Sequence, residues 1–376
     1  MPIDADVIVI GGGTSGAAAA LSLARAGRRV IVLDRFKPPH EHGEHHGGQR
    51  LFRTAYFEHP GYVPLLRRAL DGWRRLEAES GERLLELTGA VYVGAPGGEL
   101  ISGSLRSAAA HGVPHEVLSP HEATEALPGA VLHESCVVMR ERTAGYVRCD
   151  AAIAALLRVA EATGAKIRSG VPASGWSASS NSVEVATAGG ILRAGLLIIA
   201  AGPWSGALLS DIGVRLTVTR QVQAYVEASP GGGPACCWAV EGLDGLFVYG
   251  FPRDHHAGTI KFGVHVHGPV LDPDRPTPSV TAREIEQARS ALRGVFPSLA
   301  NGRIHGSACR YTNSPDTHFI IDRHPAFPNV VFGAGFSGHG FKFAPVLGEL
   351  LAKLVMDPGA EHPAPFLALS RFGGGG

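Results

Sequence analysis

Residues 6–34 confine this chain to a narrow set of folds. Val7-Ile8-Val9-Ile10 is a short apolar run of the kind that forms a strand buried on both faces. Gly11-Gly12-Gly13-Thr14-Ser15-Gly16 follows directly, then an Ala-rich helical stretch through Leu21, Leu23 and Ala24. A second apolar strand, Arg29 to Leu33, ends in Asp34. The spacing has a mechanical reading. Gly11 permits a tight turn, Gly13 lets the main chain approach a pyrophosphate, and Gly16 lets helix and strand pack closely. The helix N-terminus, with Thr14 and Ser15 in its first turn, then faces the phosphates, and Asp34, with Arg35 beside it, can accept from a ribose hydroxyl. A lone GxGxxG is a weak signal, but here both strands, the helix and the acid stand in their expected places. The reading is a site for an ADP moiety; the alternative is a glycine-rich turn without a ligand.

A chain of 376 residues exceeds what one core usually serves, so two domains are expected. Hydrophobic residues make up 45% and charged residues 18%, the balance of an ordinary globular protein. A formal net charge of zero gives no electrostatic case for nucleic acid or an anionic membrane as partner. No apolar run approaches the ~20 residues of a membrane span. Asp4 and Asp6 stand where a signal peptide would carry its basic region. The five cysteines, Cys136, Cys149, Cys236, Cys237 and Cys309, form no CxxC and no regular framework, which suits a reducing cytoplasm.

Beyond Asp34, the polar and Pro/His/Gly-rich stretch 37–48 reads as a loop. Residues 63–79 carry Leu66, Leu70, Trp73 and Leu76 on one helical face, with Arg67, Arg68, Arg74 and Arg75 elsewhere as a solvated face. A strand is expected at 88–93, and Asp150 is expected to cap a helix over 151–163 that Gly164 stops. Strands follow around Val171 and over 183–186, and Leu196 to Gly202 is another buried strand ending in small residues. From 214 to 261 the pattern alternates strands and turns, as in an antiparallel sheet. Residues 282–296 are helical, 330–332 form a strand, and 344–355 form a helix with Pro345 in its first turn. The closing glycines 373–376 are expected to be a flexible tail. Antiparallel material thus interrupts the nucleotide-type segments, which argues for a discontinuous cofactor domain carrying a substrate domain.

Gly333-Ala334-Gly335-Phe336-Ser337-Gly338 also fits GxGxxG, yet no strand leads into Asp357, so a second dinucleotide unit is not supported. The turn can instead aim a helix N-terminus at the negative charge that collects near N1 and the C2 carbonyl of a reduced flavin; the alternative is a packing turn. One ADP site without a nicotinamide site points to an oxidase, or to a dehydrogenase using another acceptor.

Four stretches carry a family resemblance: the N-terminal fingerprint; Pro38-Pro39-His40 through His45-His46-Gly47 with Arg50 and Arg53; Ala308-Cys309-Arg310-Tyr311-Thr312; and Gly335-Phe336-Ser337-Gly338-His339-Gly340-Phe341-Lys342-Phe343. Tyr249-Gly250-Phe251-Pro252, Lys261 and His265 add a weaker fifth. Together they resemble monomeric sarcosine oxidase and N-methyltryptophan oxidase, within the D-amino-acid-oxidase-like flavoenzymes. The resemblance spans nearly the whole chain, with small insertions such as one in 253–258. It implies an α/β fold, α+β overall, with a discontinuous Rossmann-like FAD-binding domain (1–86, 146–215 and 318–376). The substrate domain (87–145 and 216–317) would be built on a mixed or antiparallel sheet with helices. It also implies a monomer.

The resemblance assigns roles residue by residue. Cys309 matches the cysteine joined through sulfur to the flavin 8α-methyl, a role that needs a thiolate favoured by nearby cations; by itself it would read as a small buried residue. Arg53 and Lys342 match the pair that holds a substrate carboxylate, a guanidinium supplying two parallel hydrogen bonds and an ammonium a point charge. Lys261 matches the lysine on the other side of the flavin ring, where a fixed cation stabilises superoxide as dioxygen gains an electron; the alternative is an exposed strand lysine. Arg50 and His46 match flavin-contacting residues, and Gly202, Gly338 and Gly340 join the cofactor set. Tyr249 and His265 match residues lining the amine side, though either could be a satisfied core side chain, as could Tyr311. His339 is read as structural. His40, His42, His45 and His46 with Glu41 and Glu44 lack regular ligand spacing, so no metal site is expected.

The implied activity is FAD-dependent oxidation of a secondary amino acid to an imine, with dioxygen reduced to hydrogen peroxide. The carboxylate would be anchored by Arg53 and Lys342, and hydride would leave from the neutral amine. Sarcosine, N-methyltryptophan, pipecolate or a cyclic imino acid of a biosynthetic pathway remain open, as does a dehydrogenase passing electrons to a carrier. Residues 231–245, including Trp238, depart most from the family pattern and are expected near the pocket entrance.

Overall fold

A computed structural model describes residues 3–266 and 268–373; glycines 374–376 of the expected tail lie outside the described residues. The fingerprint strand Ala5–Ile10 is central to an eight-stranded sheet. It lies parallel to Val30–Asp34 on one side and to the long strand Gly190–Ile199 on the other. Lys166–Ser169 and Phe327–Ala334 extend the parallel set outward. The central strands carry Val and Ile on both faces because both are covered. On one face the helix Thr14–Arg25 packs against Ala344–Met356 and Cys149–Ala162. On the other, Ile8, Ile10, Ile31 and Leu33 meet Leu197, Ile199 and Phe332.

A second eight-stranded sheet holds Ile304–Asn313, Thr217–Glu227, Thr259–Val264, Phe247–Gly250, Cys237–Glu241, Ala90–Gly94, Val137–Glu141 and Glu116–Leu118, in that order. All its pairings are antiparallel except that of Cys237–Glu241 with Ala90–Gly94. Its alternation sorts the side chains. Ala224, Val226, Trp238, Ile260 and Phe262 face the helix Ala282–Val295 and its neighbours, whereas Gln221, Gln223, Tyr249 and Tyr311 face the cavities described below. A small sheet of Gln49–Phe52, Gly145–Arg148 and Leu85–Glu86 completes the set.

Three expectations need correction. The helix at Asp150 begins at Cys149, with Arg148 as its N-cap, so Asp150 sits in the first turn and complements the helix dipole rather than capping. Val171 is not in a strand; it joins Lys166–Ser169 to Ala173–Ala178, and its N–H bonds to the Asp34 carbonyl at 2.8 Å. Trp238 is fully buried on the far face of the second sheet, 4.9 Å from the Phe296 ring, and lines no pocket entrance. Its placement follows from strand alternation: Tyr249, not Trp238, has the register parity of the cavity face.

Candidate active site

Two chambers adjoin and share Arg50, Tyr311, Gly338 and Phe341 as walls. The first runs from Asp34 and Arg35 past Gly11, Gly13, Thr14 and Ser15 to Gly202, Gly338 and Gly340. It opens at the C-terminal ends of the parallel strands, where open α/β sheets bind their ligands. Gly11 has a φ of +104°, and a Cβ there would strike the Ala200 carbonyl oxygen. A Cβ on Gly16 would strike the Gly11 carbonyl, so Gly16 serves helix–turn packing and lines no chamber. The helix Thr14–Arg25 carries no side-chain cap and no acid in its first turn, which leaves its N-terminal N–H groups and dipole directed at the chamber.

Asp34 is already engaged. It accepts from the Gly12 N–H at 2.7 Å and the Phe36 N–H at 2.8 Å, with His40 Nε2 at 3.3 Å. Burial works to raise its pKa, but these hydrogen bonds outweigh burial and hold the carboxyl below the usual range. Arg35 pairs with Asp274 at 2.6 Å and lies 4.9 Å above the Trp204 ring, forming a rim at this end. Three buried polar atoms of the loop 37–48 lack hydrogen-bond partners: His40 Nδ1, Glu44 Oε1 and His46 Nδ1. Orphaned polar atoms beside a glycine cradle and an uncapped helix end are the surroundings a dinucleotide with phosphates and ribityl hydroxyls would satisfy. FAD therefore fits this chamber. Glu44, weighed in the sequence only as a metal ligand, lines this chamber, and burial pushes its carboxyl up to about 7 despite Thr312, Arg50 and Arg310 nearby.

Arg50 stitches the junction. It donates to the carbonyls of Glu44 (2.9 Å), His46 (2.8 Å) and Gln49 (3.0 Å), and it lies 3.9 Å from Cys309 Sγ. Behind it, His46 Nε2 meets the Ala308 carbonyl at 2.9 Å. Lys261 donates to the Gly47 and Gln49 carbonyls, both at 2.7 Å. It is buried, not an exposed strand lysine, and burial followed by the charge of Arg50 depresses its ammonium form. Cys309, 1% exposed, Lys261 and His46 stand within the wall rather than on either chamber's surface.

The second chamber brings together Arg53, Lys342, Tyr249 and His265, contributed by four distant segments, with Glu58, Phe57, Phe247, Phe251 and His339. Arg53 is 5% exposed, lies over the Tyr56 ring (4.0 Å) and the Phe57 ring (4.4 Å), and bonds through Nη2 to Glu58 at 2.5 Å. Its Nη1 and Glu58 Oε2 have no partner. Burial alone would raise the Glu58 carboxyl, but Arg53 overrides it and holds the group down to about 2. Glu141, fully buried, fixes the adjoining main chain by accepting from the N–H groups of Thr54 (2.8 Å) and Ala55 (3.2 Å) and from the Tyr92 hydroxyl (3.1 Å). Lys342 is held from behind, its carbonyl accepting from Trp73 Nε1 at 2.8 Å. Its Nζ donates to the His339 carbonyl at 2.8 Å and the Tyr56 hydroxyl at 3.2 Å. Burial, then the neighbouring Arg53, makes its charged form costly. A buried guanidinium paired with one carboxylate, beside an amine whose charged form an arriving anion would favour, is built to receive a second anion.

With that geometry in view, the sequence profile of the family described as FAD dependent oxidoreductase matches residues 6–354. The chain belongs to this family. The monomeric sarcosine oxidase of Streptomyces avermitilis is 38% identical over 367 residues, covering 95% of each chain. The N-methyl-L-tryptophan oxidase of Yersinia pestis is 32% identical, covering 98% of this chain and all of that one. Among solved structures of these FAD oxidoreductases, NikD, an unusual amino acid oxidase of nikkomycin biosynthesis, superposes with a TM-score of 0.84 over 98% of both chains at 25% identity. The L-proline dehydrogenase of P. horikoshii shares the fold, also with a TM-score of 0.84, at 23% identity. Glu58, Glu141 and Tyr56 are the site residues that sequence reasoning passed over, and His339, read as structural, lines the amine chamber. The one available signal was that Tyr56 and Glu58 follow Arg53 closely in an irregular segment.

Proposed function

We propose that this chain is an FAD-dependent oxidase of secondary amino acids, N-methylated or cyclic, that reduces dioxygen to hydrogen peroxide. The observation that carries the reading is the convergence of Arg53 and Lys342 in the chamber that adjoins the dinucleotide cavity through Arg50 and Tyr311. Arg53 Nη1 is the free donor for a substrate carboxylate, since Nη2 belongs to Glu58, and Lys342 adds a hydrogen-bond donor that becomes charged on taking a proton. Phe57, Phe247, Phe251 and Phe341 exclude water around the reacting C–H bond, and Tyr249 and His265 flank the amine. Arg50 and Arg53 disfavour an ammonium group, which promotes the neutral amine that hydride loss requires. FAD bound at Gly11–Ser15, Asp34, Arg50 and Gly338–Gly340 would supply the two-electron acceptor and pass the electrons to dioxygen.

Cys309 would anchor the cofactor covalently, with Arg50 Nη2 3.9 Å from its sulfur. Lys261 would serve dioxygen from behind the Gly47–Gln49 main chain. The chain would act as a monomer in the cytoplasm, where its five free cysteines persist. It would divide into the FAD domain (1–86, 146–215, 318–376) and the substrate domain (87–145, 216–317). One observation favours a second reading. Lys261 is spent on two carbonyls and does not line the chambers, as would suit a dehydrogenase with a carrier as acceptor. The test is an anaerobic screen of sarcosine, N-methyl-L-tryptophan, L-pipecolate and L-proline, followed by flavin absorbance. Bleaching, then peroxide on admitting air, is expected. No bleaching by any secondary amine overturns the proposal, and bleaching without peroxide moves it to the dehydrogenase.

A further inference from the structure

A hydrogen-bond chain leads out of the amine chamber, and its direction is fixed by chemistry. The Thr317 carbonyl can only accept, so His339 Nε2, 2.9 Å away, carries the ring proton. His339 is neutral, because burial pulls its pKa down to about 3. Its Nδ1 is therefore a bare acceptor, and it takes the Tyr56 hydroxyl proton across 2.7 Å. The Tyr56 oxygen in turn accepts from Lys342 Nζ at 3.2 Å. Lys342 faces the chamber, whereas Thr317 lies exposed on the surface with a φ of +62°, an uncommon conformation for a β-branched residue. Three side chains thus connect the chamber to solvent, each oriented donor to acceptor.

We infer that Lys342, Tyr56 and His339 form a proton relay that carries to solvent the proton an ammonium substrate must lose before its C–H bond is oxidised. This rests on the proposed amine oxidation. The nitrogen of an amino acid lies two bonds from its carboxyl carbon, so a base beside the carboxylate is also beside the ammonium. The N–H bond of the ammonium breaks and its proton joins the Lys342 amine. Lys342 passes a proton to the Tyr56 oxygen as the tyrosine gives its own to His339 Nδ1, and the Nε2 proton leaves to water at Thr317. One proton crosses and no electrons move. The reverse sequence, drawing a proton inward when peroxide forms, restores the His339 tautomer. The charged and titratable groups facing the relay are Arg50 and Arg53, Glu58, and Tyr62, whose ring lies 5.0 Å from that of Tyr56. Arg53 and Arg50 disfavour a lasting charge on Lys342, and Glu58 opposes them, so the lysine can both accept and release a proton.

The test is anaerobic stopped-flow reduction of the FAD-loaded wild type, Tyr56→Phe and His339→Gln by sarcosine and L-pipecolate across pH, with an indicator dye in weak buffer. Both variants should reduce about tenfold more slowly near pH 7, with dye-detected proton release equally delayed. The gap should narrow as pH rises through about 10.4, the ordinary alkylammonium pKa, above which the amine arrives largely neutral. A hydroxyl that merely positions Lys342 would slow reduction by the same factor at every pH, and that result, or an unchanged rate near pH 7, overturns the relay alone. Failure of every secondary amine to bleach the wild type overturns the amine-oxidase reading beneath it.

Discussion

The two chambers use opposite physics. The dinucleotide end is shaped by main chain: a positive-φ glycine, a helix without a cap, and an aspartate locked by N–H groups. The amine end is shaped by buried charge: Arg53, Glu58 and Lys342, with aromatic rings filling the rest. At Gly11 and Gly16 of the first an added methyl strikes main chain, whereas the second depends on its charges. Sterics should therefore dominate mutational effects at one end and electrostatics at the other.

The harshest trial of that contrast is Gly16→Ala, whose methyl would meet the Gly11 carbonyl. We expect the variant to be isolated without FAD, read as loss of the visible flavin absorbance, while a conservative glycine replacement in open space, Gly27→Asn, keeps it. Next in size, Arg53→Met should raise the KM for an amino acid about 100-fold, as loss of charge-assisted hydrogen bonds worth roughly 1.5–3 kcal/mol implies. It also strands Glu58. Because Arg53 holds that carboxyl well below its ordinary range, the pair contributes stability that is fully present above about pH 4.5 and is lost as pH falls towards 2. Acid unfolding of the variant should lack this component.

Lys261→Met sharpens the comparison, because this cation belongs to main chain and not to a carboxylate. Under the proposed role it should slow reoxidation by dioxygen about tenfold or more while barely changing anaerobic reduction; equal slowing of both would mean that Lys261 only braces the Gly47 and Gln49 carbonyls. Cys309→Ser should leave folding intact and move the yellow colour from the pellet to the supernatant on acid precipitation. The smallest effect is expected from Glu44→Gln. A carboxyl raised to about 7 contributes stability below about pH 4.5 that is lost as pH rises through 7, so the variant should melt higher than the wild type at pH 8.5 and equally at pH 5. The gain should be about 1–3 kcal/mol.

The dinucleotide end was readable because its constraints are local: a strand, three glycines and an acid within thirty residues leave their reasons in the spacing. Burial periodicity likewise exposed the helices at 62–80 and 344–356. The amine end was readable only through resemblance, since Arg53, Tyr249, His265 and Lys342 meet by topology and no periodicity links them. Glu58 and Glu141 left no trace for the same reason: an acid in an irregular segment or on a strand looks solvated until its partners are known. Trp238 misled because strand parity depends on register, which the sequence between 231 and 245 does not state.

Arg50 touches three carbonyls of one loop and presents itself to both chambers. Moving those carbonyls would therefore re-aim a cation that also lines the amine chamber. Evolution of a new donor preference and evolution of tighter cofactor retention are thereby tied to the same few atoms, and neither can be tuned alone.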